Sequence, residues 1–307
     1  MLETRDRTKD WVWHRDNFAA IFGTREKGNF GKNWPAGKRI AVALTFDTQA
    51  DVDAAIVNYQ TCLWPSSGKV NYCDLTMRQY DVIEGLPRVL RILRKHQVQA
   101  SFPTCGMTAD WYPDDIKRIA DEGHEVAVHG YHHVVLHELS DAQQRTEIAR
   151  GTEAIAKLTK TQPKGFRSPL YSATEVTLDL LREFGYQWHS DFHDCGFPYV
   201  LRKDGKSIVE IPAGFDDWEM YLHYVPGSPQ MGGIPYGNCD GVFSTLKGEF
   251  DTLYEESADE PRVFQWTMHP KISGRPFRAA VLDRFIAYAK QHAGVWFCTC
   301  TDLAALA

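Results

Sequence analysis

The sequence predicts an α/β fold, a parallel sheet or barrel with helices outside. Two observations carry this reading. From Ile40 to Cys300, apolar strand-like runs alternate with helical segments, and polar residues able to do chemistry stand where several of those runs stop. Strict alternation of strands and helices favours parallel strands joined by helical crossovers. In such folds reactive groups gather where strands end and loops begin.

The elements follow in order. Residues 1–38 form a polar and aromatic arm closed by WPAGK, and residues 39–307 are expected to form one catalytic domain, without repeats or a low-complexity linker. Ile40–Phe46 is a continuous apolar run, as a strand buried on both faces requires. Gly85–His96 has helical periodicity and Val98–Pro103 reads as a strand. Pro113–Glu122 reads as a helix opened by Pro-Asp-Asp. Glu125–Val128 is a strand, and Asp141–Lys160 a long amphipathic helix with Ser140 as its N-cap. Lys164–Arg167 is a strand. Glu175–Phe184 is a helix, with Gly185 where a left-handed residue is wanted. Tyr186–His189 is a strand. The section 200–260, rich in glycine, proline and aromatics, reads as irregular. Arg262–Met268 is a strand, Ala279–His292 a helix and Val295–Cys300 a final strand.

Composition narrows the partners. The chain has 307 residues, 43% of them hydrophobic, and a formal net charge of −6 with no long run of one sign. That balance argues against a nucleic-acid partner. No segment approaches the ~20 apolar residues that span a bilayer. The N-terminal MLETRDRTKDW lacks the apolar centre of a secretory signal. Seven cysteines, an odd number, then suggest reduced thiols and a cytoplasmic setting. Cys298 and Cys300, spaced C-x-C, read as buried small residues on one strand face rather than as ligands.

The chemistry concentrates in EVAVHGYHHVVLH, residues 125–137. A strand ending in His129, turning at Gly130 and reaching His133 aims two imidazoles at one point. Two neutral imidazoles and one carboxylate make a three-point face that leaves metal positions open for water and substrate. A lone H-x-x-x-H pair is usually just polar loop. Here the weight lies in the set, because Asp47 follows IAVALTF, Arg167 follows KGF and His269 follows VFQWTM, each at a strand exit. His124, His132 and His137 have no such support. Trp188, Trp218 and Trp266 either shape an apolar pocket or belong to the core.

Together these segments resemble the polysaccharide deacetylase superfamily. The chain carries Thr45-Phe46-Asp47, His129-Gly-Tyr-His-His133, Phe166-Arg167-Ser168-Pro169 and Thr267-Met268-His269-Pro270. WPAGKRIAVALTFD, HGYHH, MHPKISGRPFR and GVWFCT are similar to the branch that holds peptidoglycan-deacetylase-like proteins, metal-independent allantoinases and cyclic imidases. The resemblance runs from about Trp34 to the C-terminus. It implies a distorted (β/α) barrel, a homotetramer, and hydrolysis of a carbon–nitrogen amide-type bond. It also implies a metal, usually zinc, that polarises the carbonyl and activates water. Asp47 would be the general base, His269 the acid, and Arg167 the cation that keeps Asp47 ionised. Pro169 would join the pocket wall, and SDFHDCGFPY, with Asp191, Asp194 and Tyr199, its rim.

One position departs from the pattern. The branch spaces two aspartates D-x-D at the first strand exit, whereas here Gln49 stands at the second. Three outcomes are open: Asp51 completes a metal site with His129 and His133, Asp47 does so, or metal binding is weak or absent. The stretch Asp216–Asp240, with Trp218, Tyr221, His223, Tyr224 and Tyr236, reads as a lid that favours a small substrate over a polymer. The expected function is therefore hydrolysis of a small amide, cyclic imide or N-acyl compound. The alternatives are an N-acetyl-sugar or peptidoglycan deacetylase and a non-catalytic carbohydrate- or metabolite-binding protein.

Overall fold

A computed structural model describes residues 15–52, 72–217 and 239–307. Its strands are β1 Thr24–Glu26, β2 Ile40–Phe46, β3 Ser101–Thr104, β4 Glu125–Val128, β5 Gly165–Phe166, β6 Trp188–His189, β7 Tyr199–Lys203, β8 Lys206–Glu210, β9 Phe215–Asp216, β10 Arg262–Met268 and β11 Val295–Cys298. They form one 11-stranded sheet in the order β1-β7-β8-β6-β5-β4-β3-β2-β10-β9, with β11 also on β2. From β8 to β9 every pair is parallel. The fold is the expected α/β class. Among the described residues no ladder joins β1 to β9.

β2 is the centre of the sheet because all seven of its residues are buried. β10 lies along its whole length, from Arg262↔Ile40 to Met268↔Phe46. The other edge is shared: β11 pairs with Ile40–Ala43 and β3 with Thr45. The strands that lead into Asp47, His129, Arg167 and His269 run the same way, so these four residues emerge at one end of the sheet.

The long helix Asp141–Thr159 starts at Ser140 through a capping box with Gln143, which secures two amides that the first turn leaves unpaired. Helix Glu175–Phe184 ends at Gly185 with φ 79°, the left-handed geometry glycine adopts without penalty. Helix Pro276–Ala289 begins and ends earlier than periodicity suggested, because Pro276 sets its first turn.

The section 200–260 is more ordered than its composition suggested. β7 and β8 form an antiparallel hairpin across Asp204-Gly205, both with positive φ (50° and 74°). Asp-Gly is a strong hairpin signal that the surrounding charged residues obscured. Cys239–Glu256 is a helix. The described part of the arm is not peripheral either, since β1 adds to the sheet edge along β7. Cys298 and Cys300 are both buried, although Cys300 opens a short helix rather than continuing β11. The residues 218–238, and with them most of the expected lid, lie outside the described residues. Among the described residues no helix is long and apolar enough to cross a membrane.

One close approach packs β5 against β6. Trp188 lies flat against Gly165, where an added Cβ would fall 1.8 Å from the indole. Gly165→Ala is therefore expected to lower stability by about 1–3 kcal/mol, the usual cost of overpacking. A urea midpoint equal to that of the parent would contradict this.

Candidate active site

Register explains why the catalytic candidates meet. β2 and β10 pair Phe46 with Met268, so Asp47 and His269 leave the sheet side by side, and the Asp47 N–H donates to the Met268 carbonyl at 2.7 Å. β4 and β5 pair Val128 with Phe166, which sets His129 beside Arg167. The His129 Nδ1 faces the Arg167 carbonyl at 2.8 Å, so Nδ1 carries the proton and Nε2 presents its lone pair.

Asp47 and Arg167 form a buried ion pair, Nη1 to Oδ1 at 2.7 Å. The guanidinium is fully committed in orientation. It also donates to Thr45 Oγ1 at 2.9 Å, Ser190 Oγ at 2.8 Å and the Ser190 carbonyl at 3.2 Å. Burial alone would push the Asp47 carboxyl up. Arg167, with His129 and His269, overrides burial and holds it below its ordinary value. Asp47 is thus an ionised carboxylate aimed into the site.

His269 is held the opposite way. Its Nδ1 lies 2.8 Å from Asp217 Oδ1, and its backbone N–H donates to Asp217 Oδ2 at 2.8 Å. Ser273 Oγ donates to the same carboxylate oxygen at 2.6 Å. Burial would depress the imidazole, but Asp217, then Asp216 and Asp47, raise it to about 9. His269 is therefore protonated at neutral pH, with Nδ1 fixed on Asp217. Tyr171 OH donates to Asp216 Oδ2 at 2.8 Å and orients this second carboxylate.

The loop after Arg167 rests on a buried polar triad. Ser168 donates to Asp191 Oδ1 from its amide, at 2.8 Å, and from its hydroxyl. His189 Nδ1 lies 3.2 Å from Asp191 Oδ2 and 2.8 Å from Glu210 Oε2. Burial would lower the His189 pKa, but Glu210 and Asp191 raise it to about 9. Pro169 then packs beside Gly130 (φ 69°) and joins the two loops.

Other expectations need correction. Trp188 is fully buried and donates Nε1 to Glu125 Oε1 at 2.9 Å, at the start of β4 and away from the strand exits. Trp266 is fully buried against Phe285. Both indoles are core residues, because strand alternation turns them into the packed layers rather than toward the loops. Tyr199 OH donates to Asp194 Oδ1 at 3.0 Å, and Arg25 of β1 pairs with that carboxylate and covers the Tyr199 ring. These two residues anchor the edge strand.

The expected metal trio also fails to assemble. His129 and His133 are close, with ring centroids 4.9 Å apart. Asp51, however, accepts from Tyr112 OH at 2.7 Å and from Gln79 Nε2 at 3.0 Å. Gln49 fills the space before His129. Its Nε2 donates to His129 Nε2 at 3.3 Å, and its Oε1 accepts from Lys271 Nζ. Burial holds the His129 pKa down at about 3 despite Asp47, so the ring is neutral. Its lone pair, the one a metal would need, already receives an amide N–H. The described residues therefore do not fit a divalent ion at His129. Asp216, Asp217 and His269 have ligand atoms within 4.8 Å of one another, a spacing that could hold a metal ion. In this structure His269 Nδ1 is engaged by Asp217 and Asp216 accepts from Tyr171.

Sequence reading missed Asp217, Lys271 and Asp81. Asp216-Asp217 closes the run VEIPAGF, so the strand-exit rule that found Asp47 applied there too.

Comparisons with known proteins point to one family. The Polysaccharide deacetylase family profile matches residues 79–189. The peptidoglycan deacetylase of Helicobacter pylori is 27% identical over 243 residues, covering 72% of this chain and 82% of its own. A solved Mycobacterium smegmatis structure assigned to the polysaccharide deacetylases is 30% identical, with TM-score 0.78 and 92% and 93% of the two chains covered. The PuuE allantoinase structure is 26% identical, with TM-score 0.77 and coverage of 93% and 94%.

Proposed function

The chain belongs to the polysaccharide deacetylase family, a family of hydrolases acting on non-peptide carbon–nitrogen bonds, and from that premise we propose that its substrate is a small amide, cyclic imide or N-acyl compound. The observation that supports this best is the pairing of opposite charge states at adjacent strand exits. Asp47 is held ionised by Arg167, and His269 is held protonated by Asp217.

In this reading Asp47 accepts a proton from water as the water oxygen bonds to the carbonyl carbon. The carbon–nitrogen bond then breaks as His269 donates its proton to the departing nitrogen. Water and amide become a carboxylic acid and an amine, and the two residues exchange one proton to reset. Each proton transfer by a positioned side chain contributes about 10²–10⁴-fold. No step passes through zinc, because Gln49 occupies the His129 lone pair.

The small substrate is supported by the allantoinase neighbour, which is covered almost end to end. The H. pylori relative supports a second reading, removal of an N-acetyl group from a sugar. Both readings accommodate the cytoplasmic homotetramer that the resemblance implies. The test is turnover of maleimide-type, hydantoin-type and N-acetylglucosamine substrates by the parent and by His269→Ala. Turnover of one class, cut about 10²–10⁴-fold in the variant, is expected. No turnover of any class would overturn the proposal.

A further inference from the structure

Lys271 follows His269 by two residues, in the short helix Pro270–Ser273, and is 2% exposed. Lysine is almost never buried so fully unless paired. Its Nζ donates to Gln49 Oε1, the other end of the same amide donates to His129 Nε2, and His129 is fixed through Nδ1 on the Arg167 carbonyl. Behind them Asp81, fully buried in the π-helical turn Asp81–Gly85, accepts the backbone N–H groups of Gln49 and Ala50 at 3.3 and 3.0 Å. Such π-turns recur at functional sites.

We propose that Lys271, seated on Gln49, takes the electrostatic place of the divalent ion that a carboxylate at position 49 would help to hold. The charge balance supports it. A carboxylate with a divalent ion sums to +1, and a glutamine amide with an ammonium also sums to +1. The exchange therefore keeps a fixed positive charge behind Gln49, one amide removed from His129, where it favours the oxyanion that develops on the substrate carbonyl. It also excludes the metal, since an incoming cation meets an ammonium in a poorly screened interior and finds the His129 lone pair taken. The catalytic part of this inference rests on the amide-hydrolase reading; the metal part does not.

Zinc alone is the probe. It is titrated calorimetrically into metal-free parent, Gln49→Asp, Lys271→Met and the double variant, with folding checked by circular dichroism. The parent is expected to bind no stoichiometric zinc at the site. Gln49→Asp alone should stay zinc-poor, because its new carboxylate pairs with Lys271. The folded double variant should gain about 100-fold in zinc affinity, the scale on which a changed ligand surround acts, and His129→Ala should abolish that gain. Parent zinc that His129→Ala removes would overturn the proposal. So would a 100-fold gain in Gln49→Asp alone, or parent-like affinity in the folded double variant. If the double variant does not fold, the parent and Gln49→Asp titrations decide. Where the parent turns over a substrate, activity should survive chelation, and Lys271→Arg should retain more kcat than Lys271→Met. If no substrate is found, the proposed function fails and the zinc result still stands.

Discussion

Asp47→Asn is expected to reduce kcat by about 10²–10⁴-fold, the range a general base contributes. Asparagine keeps the shape and one acceptor for Arg167, but it cannot take up a proton from water at neutral pH. The parent fixes the expected pH profile. Because Arg167 and its neighbours hold the Asp47 carboxyl below its ordinary value despite burial, the base stays ionised, and the acid limb of kcat/KM lies below the ordinary carboxylate range. Stability carries the same sign. A depressed carboxyl contributes stability above its unfolded value, and that contribution is lost as pH falls through the folded value. Asp47→Asn removes that acid-side dependence. It also leaves the Arg167 charge uncompensated, and breaking a buried pair from one side costs about 3–5 kcal/mol. Thermal unfolding and circular dichroism therefore accompany the kinetics. A folded Asp47→Asn enzyme with parental kcat would remove Asp47 from the role of base.

The sequence exposed the strand exits far better than the partners behind them. Ile40–Phe46, Glu125–Val128 and Arg262–Met268 matched their strands residue for residue, because buried parallel strands are continuous apolar runs whose ends are sharp. Asp47, His129, Arg167 and His269 were legible for the same reason. Asp217 was harder to see, since the strand before it has only two residues and Pro212 and Gly214 interrupt the apolar run VEIPAGF that leads to it. Lys271 was hidden because a lysine after His-Pro reads as surface, and only the fold turns it inward onto Gln49. Gln49 itself was visible as a departure, but whether Asp51 compensates depended on Tyr112 and Gln79, residues far apart in sequence. Trp188 and Trp266 were ambiguous because an aromatic in a buried strand suits a pocket and a core equally well.

Asp217→Asn should change the pH profile rather than scale it. In the parent, burial works against the charged imidazole, and the Asp217 carboxylate reverses that effect, bringing His269 to about 9. The acid is therefore protonated at neutral pH, and the alkaline limb of kcat/KM is expected near pH 9. Asparagine retains hydrogen bonding to the backbone N–H of His269 and to Ser273, but it removes the charge that offsets burial. Asp216 Oδ1 remains 4.0 Å from His269 Nδ1, so the limb should move down by about one to two pH units, a loss of about 5- to 50-fold at pH 9. At pH 6 the loss should be much smaller. The linked stability has a definite sign. A raised histidine contributes stability below its unfolded value of about 6.5, and that contribution is lost as pH rises through about 9. Urea midpoints of the parent should thus decline across this window, and those of Asp217→Asn should decline less. Asp217→Glu, which restores the charge at a longer reach, should return part of the alkaline limb. A uniform drop in kcat/KM at every pH, with the limb still near 9, would show that Asp217 only supports the loop and does not set the protonation of His269.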